Sequence, residues 1–276
     1  MTKGNINKTI VAIISTIICL GFLFPIIWMI LTSLKPTREI FSVPPSWVFK
    51  PTLEHYTLYF KQGQITSRFL NTIIVSIISS IVSVFIGSMS GYSLARLPIK
   101  GKGVIGALII SSRALPPVAV IIPLFFIYRR LGWLDNRFFL AMSYTTFLIP
   151  YAVWLTKGFF ASLPTSLEDA AKIDGCTQFG TYFRIILPNI LPGLSATFIF
   201  CIILAWNELL FALILTSRDA VTIPVSLAGL AADTEQGAMW GPLTAIGSMI
   251  ILPIAVFALF VQKNLVTGLA AGSTKG

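Results

Sequence analysis

Six apolar runs, each long enough to cross a lipid bilayer, constrain this chain more than any other feature. A bilayer core about 30 Å thick needs about 20 apolar residues in a helix, and such runs cover residues 10–34, 69–95, 104–128, 138–160, 193–216 and 241–261. Composition agrees: 11% of residues are charged and mean hydropathy is +0.86, where a soluble domain carries about 25% charge. We therefore expect an all-α polytopic membrane protein, a single domain of six transmembrane helices. The first run is too long for the apolar part of a signal peptide and lacks a small-residue cleavage site, so it should remain as an anchor. Six spans place both termini on one side. Lys and Arg divide almost evenly between the two sides, although the densest short loop, Arg96 to Lys102, favours the inside.

Charge and rare residues exclude several function classes. The formal charge of +10 is scattered between apolar runs and forms no basic stripe, so membrane lipid is the expected partner and nucleic acid is not. Cys19 and Cys201 lie inside apolar runs and Cys176 lies in a polar loop, with no metal-ligand or CxxC spacing. We expect free thiols and no metal site. His55, the one histidine, has no carboxylate or cysteine cluster beside it and reads as a surface or loop contact.

Two spans carry polar groups that a simple anchor would not need. Arg113 lies eleven residues beyond Lys102, roughly 16 Å along a straight helix, and is followed by Pro116, Pro117 and Pro123. A charge at such a depth must face protein or water, and backbone freed by proline is tolerated only in protein or beside a cavity. In the fifth span Trp206, Asn207 and Glu208 reach a depth of about 22 Å on the same basis, so Arg113 and Glu208 could meet. Two readings stand side by side. One is a lining for a hydroxylated solute, with Trp206 stacking on a sugar face and Arg113, Asn207 and Glu208 bonding hydroxyls; the other is a buried ion pair that holds the bundle. Ser79, Ser83, Gly87 and Gly91 form a small-residue ridge on the second span. It permits close helix approach, either within the subunit or to another one.

The one long amphipathic interruption is 163–192, LPTSLEDAAKIDGCTQFGTYFRIILPNILP. It should form two short helices, the first capped by Thr165 with Glu168 closing a capping box and stopped by Gly175. Thr177 should cap the second, 178–187, which Pro188 and Pro192 end. The first helix presents small alanines among Glu168, Asp169, Lys172 and Asp174, the makings of a docking element. Joints at 159–164 and 188–193 are short enough to make it a lever.

Asp169-Ala170-Ala171, Gly175, Ile185 and Leu187-Pro188 resemble, spacing for spacing, the EAA loop of ABC importer permeases, with aspartate in place of the first glutamate. Ala205-Trp206-Asn207-Glu208 and the ending from Gln262-Lys263 through Gly268-Leu269 and Gly272 are similar to the carbohydrate branch, specifically its shorter permease subunit. The resemblance implies a cytoplasmic coupling loop in which Glu168, Asp169, Ala170, Ala171, Asp174 and Gly175 meet an ATPase subunit. It also implies cytoplasmic termini, a short flexible cytoplasmic tail over 263–276, and alternating access driven by ATP. The implied partners are a second, homologous permease subunit, two ATPase subunits, an extracytoplasmic solute-binding protein and a sugar-like solute; Asp233 and Glu235 are placed to meet the binding protein. No GxxxxGK[ST] phosphate cradle is present in the chain, so no cofactor is expected here and ATP and Mg should be bound by the partner ATPases. An ion-coupled secondary transporter is the alternative, and it predicts an inverted repeat. A membrane enzyme would need a converging set of catalytic groups.

Overall fold

A computed structural model of the chain describes residues 3–61, 64–232 and 240–273. Among them all regular structure is helical, and the chain divides into two compact units, residues 1–66 with 226–253 and residues 67–225 with 254–276.

The first unit contains α1 (Lys3–Ser33), α2 (Thr37–Ile40) and α3 (Glu54–Lys61). On α1 the apolar side chains stay outward, Val11 63% and Phe22 77% exposed, as befits a helix whose solvent is lipid. After it the chain folds back on itself. Lys35 is buried with its ammonium 4.8 Å from the Trp28 ring centre and 5.4 Å from that of Phe49, and aromatic faces attract a cation. His55 is a loop contact but a buried one, its Nε2 2.9 Å from the Lys35 carbonyl. Gly241 sits so close to the imidazole that any Cβ there would overlap it, which removes His55 from the surface. Between α1 and α4 the chain thus contains two short helices, α2 and α3.

In the second unit, α4 (Gln64–Arg96) is followed by α5 (Lys102–Ser111), a 3-10 turn (Ser112–Ala114), α6 (Pro117–Leu131) and α7 (Arg137–Ser162). Next come α8 (Ser166–Ile173), α9 (Gln178–Gly180), a π turn (Thr181–Ile186), α10 (Leu187–Asn189), α11 (Leu191–Trp206) and α12 (Leu210–Leu215). The small ridge is settled as internal packing: Gly87 and Gly91 lie against the α7 backbone at Ala152, Val153 and Lys157, and the Thr156 hydroxyl donates to the Gly87 carbonyl at 3.0 Å. Close approach of this kind is what drives helix association where lipid supplies no hydrophobic force. Asn136 starts α7 by accepting the Phe138 and Phe139 N–H groups, a cap that contributes about 1 kcal/mol.

Three helices are by themselves long and apolar enough to cross a bilayer: Lys8–Ser33, Gln64–Arg96 and Arg137–Ser162. Two bent pairs qualify when each is taken together, Lys102–Ala114 with Pro117–Leu131 and Gln178–Asn189 with Leu191–Trp206, bent by 86° and 78°. That makes up to five among the described residues. The expected sixth falls in α14 (Trp240–Ser273), whose apolar helical stretch covers Trp240–Val256. Three expectations need correction. The third span is bent where Ser112 to Pro116 intervene, so depth counted along a straight rod does not apply to Arg113. The fifth is interrupted at 207–209. Of the ending, expected as a flexible tail over 263–276, the described residues 263–273 are helical as part of α14; Ala270 and Ala271 favour helix and no proline follows Pro253. Between α12 and α14 lies α13 (Ile223–Ala232). Asp233 and Glu235 lie outside the described residues.

Candidate functional site

The 163–192 stretch folds as a helical hairpin. α8 ends in a glycine-closed turn: Gly175 takes φ +76°, its N–H donates to Lys172 O at 3.1 Å and the Cys176 N–H to Ala171 O at 2.9 Å. These are the two bonds that close a helix through a left-handed residue. Thr177 caps the next helix as expected, accepting the Gly180 N–H at 3.2 Å.

The start of α8 is different from the expectation. Thr165 is already helical and its side chain makes no cap bond. Glu168 therefore closes no capping box: its carboxylate turns inward to Arg96, Oε1 to Nε 3.2 Å, with both side chains nearly buried. Pro188 does not end the second helix either. The helical run continues to Asn189, and the Leu187 N–H reaches back five residues to Tyr182 O. A π turn lets the chain shift register ahead of a proline that has no N–H to donate.

The hairpin thus has two faces. Leu167 packs on a cluster of Tyr92, Phe160, Tyr182, Ile186 and Ile190, and Ala171 is fully buried. On the other side Asp169, Ala170 and Asp174 are exposed. Asp169 meets Lys172 at 3.3 Å, with both side chains about two-thirds in the open, a pair worth under about 1 kcal/mol and easily exchanged for another partner. Ile173 and Phe179 stand out at 87% and 70% exposure. Sequence reading did not single them out, since their spacing gives no sign of which way the hairpin would turn.

The residues expected along a solute path are placed as follows. Arg113, in the 3-10 turn, is exposed and lays its guanidinium 3.3 Å from the Tyr151 ring centre, with Phe200 next to Tyr151 at 5.5 Å between ring centres. No ion pair joins Arg113 to Glu208 among the described residues, so the bundle-holding pair is not formed. Glu208 instead caps α12, accepting the Phe211 N–H at 3.0 Å and facing the N–H groups of Leu209 and Leu210. That satisfies backbone donors which the break would otherwise leave open. Trp206 is 3% exposed and packs edge-on to Phe69 at 5.6 Å, so its face is not offered to a solute in this structure. Asn207 is exposed, and its amide donates to Ile203 O at 2.7 Å.

Asp135, with φ +56°, is a polar anchor that sequence reading missed. Its carboxylate accepts the N–H groups of Ser217, Arg218, Asp219 and Ala220 and the Ser217 hydroxyl, all within 3.1 Å. Burial alone would raise its pKa, but the donors from Asp219, Ala220 and Ser217 outweigh it and hold the carboxyl at about 2. The same segment is gripped from α4, where the Asn71 amide donates to Asp219 O and Val221 O, both at 2.8 Å, and Thr72 Oγ1 accepts the Ile223 N–H at 2.9 Å. The only sequence sign was Gly132 followed by Asp135-Asn136, residues that tolerate left-handed backbone.

Residues 83–270 match the family described as binding-protein-dependent transport system inner membrane component. The trehalose transport system permease protein SugB of Mycobacterium tuberculosis is 34% identical, over 99% of this chain and 100% of its own length. The trehalose/maltose transport system permease protein MalG of Thermococcus litoralis is also 34% identical, over 96% and 95%. Among solved structures, a bacterial ABC transporter involved in the import of the acidic polysaccharide alginate superposes with a TM-score of 0.75 at 25% identity, covering 95% of this chain and 98% of that one. Helical architecture and these matches lead to one conclusion: the chain belongs to the family of inner-membrane components of binding-protein-dependent transport systems.

Proposed function

We propose that this chain is the permease subunit of an ABC importer that carries a sugar, or a related polyol or glycoside, across the cytoplasmic membrane. The observation that carries the reading is the two-faced hairpin: α8 is fixed to the membrane helices on one side and offers Asp169, Ala170, Ile173 and Asp174 on the other. An ATPase subunit that receives this face can push on the whole bundle. The sequence carries no GxxxxGK[ST] phosphate cradle, and in this reading ATP and Mg are held, and ATP is hydrolysed, by two such subunits. A second, homologous permease completes the path and a solute-binding protein delivers the solute from outside. Both termini then lie in the cytoplasm, on the side of α8.

The sugar class is supported by the relatives that transport trehalose and maltose. Within the path, Arg113 over Tyr151 and the exposed Asn207 are the groups that meet solute hydroxyls, while Trp206 and Glu208 hold the break in the fifth span open at Asn207. When ATP closes the motor, the coupling hairpins of the two permeases are drawn together and the permeases rock from inward to outward access. Hydrolysis resets them. Uptake of labelled trehalose into vesicles carrying the chain with its neighbouring subunits tests this. ATP inside drives uptake if the reading holds; uptake driven by an ion gradient without ATP would support a secondary transporter.

A further inference from the structure

Force applied to α8 can reach the membrane helices through its two chain joints, but a third route is visible that does not follow the chain. Ser88, Tyr92 and Arg96 lie four residues apart on the last turns of α4, and such spacing puts them on one face. Together they hold both arms of the hairpin. The Ser88 hydroxyl meets the Tyr182 hydroxyl at 2.8 Å. Tyr92 packs on the Tyr182 ring at 5.1 Å and its hydroxyl faces the Gln178 side chain. Arg96 spans the first arm, donating through Nη2 to the Leu163 carbonyl and pairing through Nε with Glu168. The Nε–Oε1 approach is not aligned as a hydrogen bond, so charge attraction holds it. α4 is in turn seated on α7 through Gly87 and Gly91.

We infer that Arg96 is a positioning residue for coupling: with Tyr92 and Ser88 it clamps both arms of the hairpin to α4, so that a push on α8 moves α4 and α7 as one body. The inference rests on the importer reading above. It also reassigns Glu168, whose carboxylate serves this clamp and not the surface of the ATPase.

Removing one member of a buried ion pair leaves a bare charge, whereas replacing both with apolar residues of similar volume is often neutral for stability. The test is therefore the double variant R96M/E168M, purified as the whole transporter and placed in proteoliposomes. Two quantities are read: hydrogen exchange of the α8 amides, and labelled trehalose taken up per ATP hydrolysed. The expected result is an assembled complex of wild-type thermal stability in which α8 exchanges about tenfold faster and uptake per ATP falls about fivefold or more. Unchanged exchange, or faster exchange with unchanged uptake per ATP, overturns the inference. A double variant that fails to assemble overturns it too, since the pair would then be needed for folding and not for transmission. Wild-type transporter that hydrolyses ATP without any uptake of trehalose would count against the sugar reading, while the exchange measurement would still decide whether the clamp exists.

Discussion

At Gly175 the backbone turns left-handed, a region where a Cβ costs roughly 1–2 kcal/mol, although open space surrounds it. Gly175→Ala therefore tilts the end of α8 without creating a clash. We expect G175A to insert and to associate with the ATPase subunits, with uptake reduced severalfold in the vesicle assay. Asp169→Lys reverses a charge on the exposed face, and we expect it to lose ATPase association while thermal stability stays within about 0.5 kcal/mol of wild type. Two neighbours in the fifth span separate in the same way. Trp206→Ala empties a buried site and should cost about 3–5 kcal/mol, seen as a lower melting temperature and poor assembly. Asn207→Ala touches an exposed amide, so assembly should persist while solute uptake changes. If W206A assembled normally and only uptake changed, the packing role given to this ring would be wrong. Gly175 and Thr177 were legible in the sequence because their effects are local. The turn of Glu168 away from its own helix start was not, because Arg96 lies on a helix separated from it by two other spans.

Between elements, the structure depends on bent helices whose loose ends are tied by single side chains. Asp135 is the clearest case, binding the turn after α12 to the link between α6 and α7. Its carboxyl is held at about 2, below the ordinary value of about 3.9. A depressed carboxyl contributes stability that is present above the unfolded pKa and is lost as pH falls through the folded one. Order in the turn should thus be full above pH about 4 and fade towards pH about 2. Asp135→Asn removes the charge at every pH, and we expect amides 217–220 to exchange severalfold faster at neutral pH; unchanged exchange would contradict the anchoring role. Freed backbone groups in the third span were legible from Pro116 and Pro117, since proline interrupts the backbone ladder. Its 86° bend was not, because the angle comes from packing of α5 on α7 and α6 on α12. The π turn ahead of Pro188 escaped notice for a related reason: the tertiary seat of Tyr182 and Ile186 keeps the helix going past a residue that ordinarily stops it.

Across the whole molecule, hydropathy made the fold class readable, because length and composition alone separate a membrane bundle from a soluble domain. The small ridge on α4 announced close packing but not with what; Thr156 and the α7 backbone answer that. What a lever needs is a rigid attachment on one side and an open contact face on the other. The inward-facing Leu167 and Glu168 and the buried Ala171 supply the first, and the exposed Asp169, Ala170, Ile173 and Asp174 the second. Ile173, at 87% exposure, is the most direct reporter of that face. A photo-crosslinking side chain at Ile173 in the intact transporter should join this chain to an ATPase subunit, with a yield that changes when ATP is added. Labelling of the same position by a membrane-impermeant reagent from the outer side, or a crosslink to no ATPase subunit, would contradict the account.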